Sequence, residues 1–168
     1  MKSIFKLLFV AFLTVAPLTV NAQSNVAHIN VQQLISEMPE VIAAQNELAK
    51  LEKDYTTQID NAFKEFQTKA QSYSSDAANQ TDVTNQARQK ELESMQTNLQ
   101  EFRDSAAQEL QKKQMDLMTP LLEKARNAIT KVGEEQGFNY VIDSSPNGGI
   151  ILANGKDLLA DVKKELGF

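Results

Sequence analysis

The stretch LAKLEKDYTTQIDNAFKEFQTKAQSY, residues 48–73, decides the fold. Its apolar residues Leu48, Leu51, Tyr55, Ile59, Ala62, Phe66, Ala70 and Tyr73 recur in steps of 3, 4, 4, 3, 4, 4 and 3. That spacing puts them on one face of an α-helix. A second stripe of the same kind runs through Leu92, Met95, Leu99, Phe102, Ala106 and Leu110. Between Val41 and Val132 there is one Pro, Pro120, and no Gly, so few residues oppose continuous helix. The stripes are separated by Ser72–Asp82, a polar stretch rich in residues that compete with helical hydrogen bonding. The expectation is a long antiparallel helical hairpin, a coiled-coil arm over residues 39–119 with its tip near 72–85. Such an arm has a large lateral surface and little room for a buried active site, which points to binding rather than catalysis.

The flanks read as a small β body over residues 23–38 and 120–168. Val26–Val31 alternates, with Ala27, Ile29 and Val31 on one face, and is expected to be a strand. Val31–Met38 follows as a short helix, and Pro39 suits the first turn of the next. Phe138–Asp143, containing Val141 and Ile142, reads as a second strand. Ile150–Ala153, containing Ile150 and Ile151, reads as a third. The turn formers Ser144–Gly149 between them predict a β-hairpin. Gly137 is placed to stop the returning helix. Asp157 is placed to cap a closing helix whose buried stripe is Leu158, Leu159, Val162 and Leu166. Pro120 is expected to kink the returning arm where it meets the body.

The first 22 residues read as an export signal. Lys2 and Lys6 precede a short apolar run, Leu7–Leu13; Pro17 ends it, and Val20-Asn21-Ala22 supplies a small residue for cleavage after Ala22. The apolar run is too short to span about 30 Å of hydrocarbon comfortably. Removing Lys2 and Lys6 leaves 15 basic against 22 acidic residues, moving the net charge from −5 to −7. An acidic chain has no electrostatic footprint for nucleic acid. With no Cys there is no disulfide framework, and with one His, His28, none of the usual zinc ligand sets. The small β region therefore lacks staples, and oligomerisation is the remaining device for stabilising it.

Catalysis finds no support in the residues, and no catalytic, cofactor or metal site is assigned. Gly148-Gly149 lacks the Lys and Ser/Thr of a phosphate loop. His28 lies on an expected strand without a local carboxylate, and the pairs Glu91/Glu93 and Glu134/Glu135 diverge on a helix.

In order, the chain offers a strand, a short helix ending in Met38-Pro39, a long hairpin, the block Gly137–Asp143 and a final helix after Asp157. With Ile29–Ile35, these segments resemble the OmpH/Skp family of periplasmic chaperones over the whole mature chain. The resemblance implies an α+β, mostly α fold: three helical arms on a small β body completed by homotrimerisation. It implies an ATP-independent holdase that takes unfolded outer-membrane proteins into the cavity between the arms. Ile29, Val31, Val141, Ile142, Ile150 and Ile151 are then the candidate residues of the oligomeric body. Lipopolysaccharide or membrane binding is not carried over, because the segment Gln71–Ala87 holds Asp76 and Asp82 and no Lys or Arg. The alternative is a structural or adaptor coiled coil of the cell envelope.

A holdase needs adaptable apolar surface, and Tyr55, Phe63, Phe66, Tyr73, Met95 and Phe102 offer it. Most of these lie on the stripes and are expected to join the two arms to each other. Phe63 is one step off the stripe beside Ala62 and is expected to face the cavity between the arms, toward a client.

Overall fold

The computed structural model describes residues 25–168; the expected export signal lies outside the described residues. The chain begins with β1 (Val26–Ile29), which ends sooner than its alternation suggests. Asn30 is the reason. Its side-chain oxygen accepts the Gln33 N–H at 2.9 Å and starts helix α1 (Val31–Glu37), so Val31 is helical rather than extended. Met38 is extended and fully buried, as suits a residue before proline, and Pro39 opens helix α2 (Pro39–Asp76).

The hairpin expected from the stripes is present. Helix α2 has 38 residues and helix α3 (Asp82–Glu135) has 54, which at 1.5 Å per residue is about 57 and about 81 Å. A single 3₁₀ turn, Ala77–Asn79, and the Thr81 cap, whose hydroxyl accepts from the Thr84 N–H, reverse the chain between them. Helix α3 runs on through Pro120, which lies exposed. Just beyond it Leu121, Ala125, Ala128 and Val132 enter the core, so Pro120 stands where the arm joins the body. The helix stops at Gly137, whose φ of +75° suits glycine alone. The Gly137 N–H donates to Glu134 O and the Phe138 N–H to Gly133 O, closing the last turn.

The sheet departs from the expectation. Strand β2 (Tyr140–Asp143) pairs in parallel with β1, with Ala27 opposite Val141. The third strand is not Ile150–Ala153 but the two-residue β3 (Lys156–Asp157), parallel to β1 on its other edge, so the order is β2-β1-β3. No β-hairpin forms. The reason is Ser145, buried and tethered: its hydroxyl accepts the Gln32 N–H at 3.0 Å and donates to Asp143 Oδ1 at 2.6 Å. With Gly148 N–H donating to Ser145 O at 2.7 Å, this turn carries the chain off β2 instead of folding it back. Residues 150–153 are irregular, and the chain crosses to the opposite edge.

Helix α4 (Leu159–Leu166) closes the body. Asp157 Oδ1 accepts the Leu159 N–H at 2.9 Å, and Leu158 and Val162 are fully buried. The core gathers Ala27, Ile29, Leu34, Met38, Val41, Ala125, Ala128, Val132, Leu158 and Val162. Four of these, Val41, Ala125, Ala128 and Val132, come from the roots of the two arm helices, so the body's core is larger than the segments outside the hairpin. Gly133 lets α3 approach the sheet: a Cβ there would stand 2.8 Å from Val141 Cγ2.

Candidate binding surface on the arms

Along the arm the two stripes face each other, and polar contacts reinforce them. Tyr55 packs edge-on against Phe102, ring centroids 6.1 Å apart at 74°, and its hydroxyl donates to Glu109. Near the tip, the Tyr73 hydroxyl donates to Glu91 at 2.6 Å, and Lys69 Nζ reaches the other oxygen of Glu91 at 2.6 Å. Arg88 lies over the Tyr73 ring at 4.7 Å and pairs with Asp76 at 3.0 Å. The Lys69 and Tyr73 hydrogen bonds hold the Glu91 carboxyl below its ordinary pKa. Arg88 first, then Asn79, do the same for Asp76. Lower down, Lys113 pairs with Glu47 at 2.8 Å and Lys124 with Glu40 at 2.6 Å. Tyr55, Tyr73 and Phe102 therefore join the arms, as expected, and Met95 is half-buried on the second stripe.

Phe63 is different. It leaves 40% of its surface open while stacking on Phe66, with centroids 6.5 Å apart and 22° between planes. Together they form one wall of a groove of about 450 Å³; Gln96, Thr97, Leu99, Gln100 and Arg103 of α3 line the rest. The off-stripe position of Phe63 made it legible in the sequence. Arg103 was not, because it belongs to neither stripe. Its signal was available in a different form: the residues three and four positions away, Leu99, Gln100, Ala106 and Ala107, are all uncharged, so no carboxylate shares its face of the helix.

On the body, Ile29 is spent within the chain's own core, and Val31 and Val141 pack half-buried against it. Ile142 at the outer strand, together with Ile150, Ile151 and Leu152 of the irregular segment, is exposed; Ile151 has no cover at all. Tyr140 adds to this apolar face on β2. His28 meets the Ser144 hydroxyl at 3.2 Å and ties β1 to the turn after β2. Among the described residues no group of His, Asp and Glu gathers into a metal-sized cluster, and no helix is long and apolar enough to cross a membrane.

Comparison with known proteins agrees with this architecture. The chain is 26% identical to the chaperone protein Skp of Yersinia enterocolitica, over 85% of this chain and 86% of that protein. It is 21% identical to the chaperone protein Skp of Pectobacterium atrosepticum over 90% of each. Its fold is shared with a crystal structure from Caulobacter crescentus CB15, described as a candidate OmpH-like outer membrane chaperone. The TM-score is 0.76 at 12% identity, over 86% of this chain and 85% of that one. The family described as outer membrane protein (OmpH-like) matches residues 25–166, and the chain belongs to that family.

Proposed function

We propose that this chain is an ATP-independent holdase of the periplasm, which binds unfolded outer-membrane proteins between helical arms and keeps them from aggregating. The observation that carries the reading is the arm itself. Two helices extend far past a small core, and their flank carries the exposed aromatic stack of Phe63 on Phe66. An unfolded β-barrel chain exposes alternating apolar residues that need shielding over a long length. The chaperone names of the relatives and the signal-like first 22 residues support the same role and compartment.

The working form is a homotrimer. The exposed β2 edge with Tyr140, Ile142 and Ile150–Leu152 is the apolar face on which copies associate. Assembly would set three arms around a common space. The test is an unfolded outer-membrane protein diluted from denaturant with and without the mature chain. Scattering from aggregates should fall at one trimer per client without nucleotide. Unchanged aggregation at a several-fold molar excess refutes the reading.

A further inference from the structure

The groove between Phe63, Phe66 and Arg103 differs in charge from four other grooves of this acidic protein. Four other surface grooves each carry at least one carboxylate: Glu134 and Asp143, Glu47 with three others, Asp143 again, and Glu123 with Glu165. The arm groove has none, and its single charge is a guanidinium. Along the arm, Lys69, Arg88, Lys113 and Lys124 each engage a carboxylate, whereas Lys50, Lys53, Lys64, Lys90, Lys112 and Arg103 do not; of these, Arg103 is the one that lines this groove. Arg103 makes no ion pair among the described residues, and the residues three and four positions from it, Leu99, Gln100, Ala106 and Ala107, are uncharged; Glu101 and Asp104 lie on other faces of the helix. A stacked pair of phenyl rings beside an unneutralised planar cation fits a ligand that brings an aromatic ring and a carboxylate together.

Resting on the holdase reading, we propose that this groove receives the C-terminal residue of an unfolded client when that residue is aromatic. The ring would lie against Phe63, and the α-carboxylate would meet Arg103. A terminal aromatic residue carries both groups on one unit. Within an extended chain, successive side chains point to opposite sides, so an internal aromatic must borrow a carboxylate from two residues away. That requires ordering the intervening backbone, at an added entropic cost. Phe63 and Phe66 form the aromatic wall within less than one helical turn of α2, about 5 Å of rise, and Gln96 to Arg103 run about 10 Å along α3.

The test uses the full mature chain and short fluorescent peptides read by anisotropy. One peptide ends in Phe with a free carboxylate, the second is its C-terminal amide, and the third ends in Ser. A fourth is amidated, with Phe two residues before an internal Glu. The free acid should bind about two- to fivefold tighter than the amide, the scale of one exposed ion pair. Arg103→Gln should abolish that preference while leaving helix content unchanged. Phe63→Ala should weaken acid and amide forms alike. Equal binding of acid and amide to the unmodified chain, or a preference that survives R103Q, overturns the proposal. So does an internal-Glu peptide that matches the free acid. Suppression of aggregation of a full-length client is measured on the same preparations. Retained suppression without the acid preference sinks this inference alone, whereas a retained preference without suppression sinks the holdase reading alone.

Discussion

Replacing Phe63 by Ala separates the two roles an arm aromatic can play. Phe63 leaves 40% of its surface open; for an aromatic side chain of about 200 Å² that is about 80 Å². At about 25 cal/mol per Å², complete covering by a client is worth at most about 2 kcal/mol per engaged arm. Incomplete covering brings the expected loss nearer to about 1 kcal/mol, a fivefold weakening. The cost to the arm is smaller. Losing the stack on Phe66 costs about 0.5–1.5 kcal/mol, and Ala regains about 0.5 kcal/mol through its higher helix propensity. Melting followed by circular dichroism should therefore shift little, while client affinity, measured by fluorescence quenching of a labelled unfolded outer-membrane protein, drops several-fold. A variant that holds client as well as the parent would show that the exposed ring contacts nothing. A variant that loses helix content would show that Phe63 serves the hairpin instead.

The remaining expectations concern the body, the tip and the solvent. Ile29→Asp places a charge at a position 1% exposed and should unfold the body, at about 4 kcal/mol or more. Ile151→Ser, at a fully uncovered position, should leave helix content intact but lower the mass seen by light scattering; an unmodified chain that is monomeric at micromolar concentration refutes the trimer. Gly133→Ala drives a methyl to 2.8 Å from Val141 Cγ2 and should destabilise by about 1–3 kcal/mol, as overpacked sites do, visible as a lower midpoint in urea. The Glu91 and Asp76 carboxyls are held below their ordinary pKa values by Lys69 and Arg88. Their stabilisation is complete above the ordinary carboxylate pKa and is lost as pH falls through the lowered values, so amide protection factors at the tip, corrected for intrinsic exchange, should fall below about pH 4, and a tip equally protected at pH 3 and 6 contradicts this. On the proposed, mainly apolar mode of holding, raising salt from about 0.05 to about 0.5 M should change client affinity less than tenfold; a steep loss would mean that charge carries recognition.

The sequence by itself determined the local structure of this protein. The arm helices follow from a stripe of apolar residues, and their ends from short-range chemistry at Thr81, Pro39 and Gly137, all within a few residues of the groups they cap. Phe63 was legible for the same reason: its angle on the helix is set by its distance in sequence from Phe66 and Ala62. Only the tertiary structure decided the sheet. Val26–Ile29 reads as an ordinary strand, yet it becomes the centre of a parallel sheet because α2 and α3 form a crossover that returns β2 beside it. Ile150–Ala153 has strand composition but no strand partner among the described residues; Ser145, bonded to Gln32 and Asp143 more than a hundred residues apart in sequence, directs the chain away from β2. The arm groove belongs to the same class. Phe63 and Arg103 sit 40 positions apart and on different helices. Periodicity reports what one helix presents along its length, whereas the pairing of two helices sets which residue of one stands beside which residue of the other.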